Sequence, residues 1–121
     1  MRLKPIIWVR SSLDDLKRFP KEVQRHLGFA LKSAQAGEKH PDAKLLRGFG
    51  GAGVLEIVED FDGDAYRAVY TVKFEEAIYV LHAFQKKSKS GISTPKRAID
   101  LIAERFKRAK EMHLWREREP K

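Results

Sequence analysis

At 121 residues, 42% hydrophobic and 35% charged with a formal charge of +8, the chain is long enough for one core and too apolar to be disordered. No apolar run approaches the ~18 residues of a membrane-spanning helix. With no cysteine, disulfides, thiolate metal sites and cysteine nucleophiles are excluded. These bounds predict one soluble, cytoplasmic domain over residues 1–121.

The N-terminal stretch "MRLKPIIWVRSS" has a basic start, but its apolar patch is too short for a signal-peptide core and Arg10 interrupts it. Residues 5–10 predict a short strand. Ser11 or Ser12 can cap a helix over 13–18, where Asp14 and Asp15 suit the first turn. Phe19-Pro20 breaks that helix, and Pro20 opens a second over 21–36. Val23, Leu27, Leu31 and Ala34, with Ala30 beside them, line one apolar face of it. Residues 38–44 predict a loop.

Three strands are predicted next, at 54–60, 66–74 and 77–84. In the second, Tyr66, Ala68, Tyr70, Val72 and Phe74 alternate with Arg67, Val69, Thr71 and Lys73. The short connections "DGD" (62–64) and "EE" (75–76) favour an antiparallel meander. Thr94 is expected to cap a last helix over 95–111, with Pro95 at its first position. Ala98, Leu101, Ile102, Arg105, Phe106 and Ala109 trace its inward face, and Arg105 interrupts an otherwise apolar stripe. The tail from His113 is expected to fray or to dock through Trp115. The sum is an α+β fold with an antiparallel sheet of about four strands, two N-terminal helices packed on it and a C-terminal helix.

The charge is unevenly placed. Residues 86–121 hold 12 Lys+Arg against 5 Asp+Glu, while residues 1–85 hold 13 against 12. The excess begins where the last strand meets "QKKSKSG". A one-sided positive field attracts polyanions, so a nucleic-acid partner is expected beside the plainer reading of a solvated basic helix.

Two glycine-bearing stretches imitate ligand motifs. "GFGGAG" (48–53) matches G-x-G-x-x-G but follows a loop and opens a strand, so it predicts a flexible loop. "DFDGD" (60–64) lacks the glycine and glutamate that a calcium loop needs further on, and predicts a hairpin turn. The four histidines show no metal-ligand spacing, and neither a metal nor a small-molecule cofactor is expected.

His82 is expected on the same strand face as Ile78, Val80, Phe84 and Lys86. It is either a hydrogen-bonded, half-buried histidine or a proton-transfer group. A mid-strand arginine is costly unless paired or solvated. Arg67 therefore either pairs with Glu56 or Glu59 or points into an open cleft and awaits an anion. Arg47, Lys86, Lys87 and Lys89 complete a set of phosphate-binding candidates.

"KLLRG…GVLEI", "YRAVYTV", "IYVLHAFQKKS" and "TPKRAIDLIAER" stand in the order that marks the RelE/ParE toxin superfamily, and the chain resembles its phage-derived, HigB-like branch over about residues 5–110. The resemblance implies a toxin of a type II toxin–antitoxin pair that cuts mRNA on the ribosome. Its partners would be a helix-turn-helix antitoxin, mRNA and the ribosome, with no membrane. Arg67 would match the strand arginine at the scissile phosphate, and Lys86 and Lys87 the basic end of the last strand. Metal-free RNA cleavage needs alignment, cationic stabilisation and proton transfer. Arg67 and Lys87 would stabilise charge, Arg47, Lys86 and Lys89 would hold the RNA backbone, and His82 or Glu56 would move protons. Glu56 and Glu59 depart from RelE itself, which carries lysines on that strand. The alternatives are a ParE-like, non-nuclease toxin of DNA gyrase and a non-toxic nucleic-acid-binding accessory protein.

Overall fold

The structure, a computed structural model, describes residues 3–51, 53–86 and 94–118. Its elements are β1 (Ile6–Trp8), α1 (Ser12–Lys17), α2 (Lys21–Gln35), β2 (Lys44–Leu45), β3 (Val54–Phe61), β4 (Asp64–Thr71), β5 (Ile78–Lys86) and α3 (Lys96–Arg118). The strands form one five-stranded sheet in the order β1-β5-β4-β3-β2.

β3, β4 and β5 form the expected antiparallel meander. Asp62 and Gly63 connect β3 to β4 with φ of 53° and 86°, the paired positive values of a two-residue type I′ hairpin turn. The sheet departs from expectation at both edges. β1 runs parallel to β5, with Ile6 opposite Ile78 and Trp8 opposite Val80, so the sheet is mixed rather than wholly antiparallel. A parallel pair needs a long crossover, which the two helices and the meander supply. At the other edge, Lys44, the last residue of the predicted loop, and Leu45 after it pair with Glu56 and Leu55 as a fifth strand. Both are exposed, so they carry no alternating apolar signal.

Helices cover the two faces of the sheet. Leu16, Val23, Leu27 and Leu31 of α1 and α2 bury Leu55, Ile57, Tyr66, Ala68, Tyr70, Ile78 and Val80 on one face. Ile102, Phe106 and Ala109 of α3 bury Val54, Val69, Tyr79 and Leu81 on the other. Each such fully buried aliphatic side chain stabilises the fold by about 1.5–3 kcal/mol relative to exposure. α3 continues past the predicted end to Arg118, because His113 turns inward as the next buried residue after Ala109. Trp115 does not dock: it stays 67% exposed. No helix among the described residues is long and apolar enough to cross a membrane.

One irregularity in β5 decides where the candidate residues point. Val69 pairs with His82, but the next residue, Tyr70, pairs with Val80, so Leu81 is an extra residue on β5. A bulge of one residue reverses the alternation beyond it. Ile78 and Val80 therefore face α1 and α2, whereas Leu81, His82 and Phe84 face α3. The expected shared face of His82 with Ile78 and Val80 is corrected by this bulge. The expected company of Phe84 holds: the two rings stack at 4.6 Å.

Candidate functional site

Strand pairing brings three of the candidate residues onto the α3 face of the sheet. Arg67 on β4 lies between Val58 of β3 and Phe84 of β5. Glu56 and His82 are its diagonal neighbours, since both flank Val69 in register.

Arg67 is buried, 3% exposed, and takes the paired alternative. Its Nη1 donates to Glu56 Oε2 at 3.2 Å and to Thr94 Oγ1 at 3.3 Å. Thr94 in turn donates its hydroxyl proton to the same Glu56 oxygen at 2.7 Å. A cation, an anion and a hydroxyl thus close a triangle between the sheet and the segment entering α3. Thr94 was expected to cap α3 through its side chain. Its hydroxyl is committed to Glu56 instead, and the Pro95 carbonyl accepts the first helical hydrogen bond, from Ile99 at 3.0 Å. Glu59 is no partner of Arg67. It faces the other side of the sheet, 2.6 Å from His26.

A second polar seam crosses from α3 to the sheet at Arg105. Its Nη1 donates to the Leu81 carbonyl at 3.0 Å, the group that the bulge removes from the ladder. The same nitrogen lies 3.4 Å from His82 Nδ1, and Nη2 donates to Ser11 Oγ at 3.2 Å. Ser11 passes its own proton to Asp15 Oδ2 at 2.8 Å rather than capping α1. The interruption of the α3 stripe by Arg105 is therefore a structural clamp on an irregular strand.

Burial, and then the Arg105 charge, push His82 down to about 4, with Asp15 opposing. The imidazole is neutral at pH 7. Because Arg105 can only donate, the network assigns the lone pair to Nδ1 and the proton to Nε2. So arranged, His82 offers a hydrogen-bond donor, while its one basic nitrogen is occupied. Burial also lowers Arg105 from the usual arginine value, in the direction expected of a half-buried cation.

The remaining candidates are placed less centrally. Arg47 is exposed in the turn after β2, and among the described residues it has no hydrogen bond or ion pair to the Arg67 triangle. Lys86 ends β5 opposite Ala65, but its side chain is not described. Lys87 and Lys89 lie outside the described residues. On α3, Arg97, Lys107, Arg108 and Lys110 are exposed, and a cleft beside the Arg105 seam is lined by Arg10, Ser11, Leu101, Glu104, Arg105 and Arg108. Sequence reasoning gave no role to Thr94 beyond a cap and none to Ser11 beyond the same. Arg105 alone of the three carried a signal, as the charged residue in an apolar stripe.

A mixed sheet with two helices on one face and a long cationic helix on the other is the fold of RelE-type toxins. A mutant of Escherichia coli toxin RelE in the free state matches with a TM-score of 0.55 at 17% identity, over 89% of this chain and 98% of that one. The isolated E. coli RelE toxin matches with a TM-score of 0.55 at 21% identity, over 74% and 89%. A chain of the Mycobacterium tuberculosis toxin–antitoxin complex RelBE2 matches with a TM-score of 0.48 at 18% identity, over 73% and 97%. Likeness at these identities is likeness of fold. No curated protein matches. The profile of the family described as phage-derived protein Gp49-like matches residues 14–107, and the chain belongs to that family.

Proposed function

We propose that the chain is the toxin of a type II toxin–antitoxin pair, of the HigB-like branch, and that it cleaves mRNA on the ribosome without a metal. In this reading residues 1–121 form one toxin domain that works in the cytoplasm. The observation that carries it is a cationic helix, α3, packed on one sheet face of a RelE-type fold. Arg67, Glu56 and His82 lie on that face, and the cationic helix α3 covers it.

The RNA's own 2′-hydroxyl attacks the adjacent phosphorus to form a 2′,3′-cyclic phosphate, the bond from phosphorus to the 5′-oxygen breaks, and the departing 5′-oxygen takes a proton from water. Lys86, Lys89 and Arg47 hold the backbone, and Lys87 stabilises the charge that grows on the phosphorane. Arg67 joins Lys87 only after a phosphate takes the place of Glu56 in the triangle, which frees that carboxylate to accept the 2′-proton. His82 contributes a hydrogen bond through Nε2–H rather than a proton transfer. A helix-turn-helix antitoxin covers the basic surface with acidic residues and keeps it from RNA.

The closed Arg67–Glu56–Thr94 triangle favours a second reading, a ParE-like toxin that inhibits DNA gyrase by binding and needs no acid or base. Induced expression in bacteria, with growth and mRNA ends both recorded, separates the two. Growth arrest with new mRNA ends, lost in Lys87→Ala, is the expected result. Arrest with intact mRNA selects the gyrase reading. Unimpaired growth would sink the toxin reading altogether and leave a nucleic-acid-binding accessory protein.

A further inference from the structure

On the opposite face of the sheet, the fold gathers side chains that their sequence spacing keeps apart. His26 of α2 meets His40 and Asp42 from the loop before β2, with Glu59 of β3 behind. His26 Nε2 lies 3.1 Å from Asp42 Oδ2, and the two imidazole rings stand 5.4 Å apart, edge to face. His40 Nδ1 lies 4.0 Å from the same Asp42 oxygen.

The hydrogens do not balance in this cluster. Glu59 Oε1 stands 2.6 Å from His26 Nδ1 but off the ideal N–H direction, so this buried nitrogen lies in ion-pair range of a carboxylate without a hydrogen bond to it. In the tautomer that carries its proton on Nδ1, towards Glu59, a neutral imidazole has only a lone pair left at Nε2, and that lone pair faces the Asp42 carboxylate. Two acceptors 3.1 Å apart need a cation between them, either a second proton or a metal ion. His40 decides between these. Its Nδ1 also presents a lone pair, now engaged only by the Asp42 backbone N–H at 3.1 Å, so a third donor atom converges where a proton bridge needs two.

We propose that His26, His40 and Asp42 bind a divalent transition ion of the zinc class, with Glu59 as the carboxylate that orients His26. Two imidazoles and one carboxylate suit zinc, cobalt or nickel rather than magnesium or calcium. In a tetrahedral shell with bonds of ~2.0–2.1 Å, neighbouring ligand atoms stand ~3.3–3.5 Å apart. The three atoms here all lie within 4.8 Å of one another, so adjustments of about 1 Å close the shell. His26 and His40 are 22% and 19% exposed at the side chain and Asp42 is 58%, which leaves a path for the ion and a place for water. The ion would pin the loop before β2 to α2, on the side of the sheet away from Arg67, and the proposal is independent of any reading of toxicity.

The test uses the untagged, chelator-treated full chain at pH 7.5. Zinc at about a hundredfold excess over its dissociation constant should raise Tm by about 8–11 °C. Cobalt should give visible absorption with one equivalent bound. His40→Ala should weaken both metals by at least about tenfold, and Glu59→Gln by about 10–100-fold. Asp42→Asn serves as a second ligand variant should His40→Ala fold poorly. A flat zinc titration of the wild-type chain overturns the proposal, as does a zinc effect that survives in both ligand variants. Stabilisation by mild acid but not by zinc shows a proton bridge only, and overturns it as well.

Discussion

Two arginines cross from α3 or towards it, and the two seams they form are chemically unlike. Arg67 is closed by a carboxylate and by a hydroxyl that serves the same carboxylate, so its charge is neutralised where it stands. Arg105 is held by a carbonyl, an imidazole and a hydroxyl, and its hydrogen bonds lead to an anion, Asp15, through Ser11. The first seam is a lock with little field outside it. The second projects positive potential, which adds to burial in keeping the histidine beside it unprotonated. A buried arginine is thus no guide to an anion site until its partners are known, and the strand arginine that looks most like a phosphate ligand is the one whose charge is already spent.

The largest effect follows from breaking the lock at one side only. Glu56→Ala takes the carboxylate away from the buried Arg67 guanidinium, and losing one partner of a buried pair costs about 3–5 kcal/mol. Replacing both at once, as Arg67→Met with Glu56→Leu, should return to within about 2 kcal/mol of wild type, because an apolar pair of similar volume suits the same place. Urea unfolding of the three proteins measures this directly. Should Glu56→Ala lose less than ~1 kcal/mol, the triangle is loosely held and Arg67 is more available to a ligand than its 3% exposure indicates.

The elements were legible where a local code exists. The apolar face of α2 shows in the spacing of Val23, Leu27, Leu31 and Ala34, and all four are buried. The Asp62-Gly63 turn follows from the need for positive φ at both positions. The bulge was not legible, because Ile78 to Phe84 is nearly all apolar and offers no polar marker of a slipped alternation. The parallel pairing of β1 with β5 was hidden for another reason: three residues encode a strand but not its neighbour. Thr94 followed by Pro95 reads as a cap by every local rule, and a glutamate distant in sequence outcompeted the helix for its hydroxyl. For the site, the sequence offered Arg67 either a glutamate partner or an open cleft. Which of two glutamates it took was a question of strand face, answered only by the register.

A smaller effect tests the field at the second seam. His82 sits at about 4 when folded, against an ordinary value of 6.5. Between these values the unfolded chain binds a proton that the native protein does not, so acid favours unfolding there. The contribution is complete above about pH 6.5 and is lost as pH falls towards 4, on the order of 2 kcal/mol once partial solvent screening is allowed for. Wild type should therefore lose that much more stability than His82→Gln between pH 7 and pH 4.5. Arg105→Met should move the imidazole titration, followed by NMR, back towards the ordinary value. Stability curves of wild type and His82→Gln that stay parallel across this range would show that neither burial nor Arg105 holds the imidazole neutral.

The smallest effect separates the hydroxyl from the ion pair within the lock. Thr94 Oγ1 gives Glu56 its shortest hydrogen bond, 2.7 Å, and takes a longer one from Arg67, 3.3 Å. Thr94→Val keeps the shape and removes both. Hydrogen bonds to charged groups are worth about 1.5–3 kcal/mol when buried, and the partial exposure of Thr94 reduces this to about 1 kcal/mol. Thr94→Ser keeps the hydroxyl and should stay within ~0.5 kcal/mol of wild type. In the Glu56→Ala background the valine substitution should cost less, only what the longer bond from Arg67 contributes, because the acceptor it served has gone. That double-mutant cycle reads the coupling of Thr94 to Glu56 alone. A full 1 kcal/mol loss persisting without Glu56 would place the contribution of Thr94 in the entry to α3, as the cap its sequence position suggests, and not in the lock.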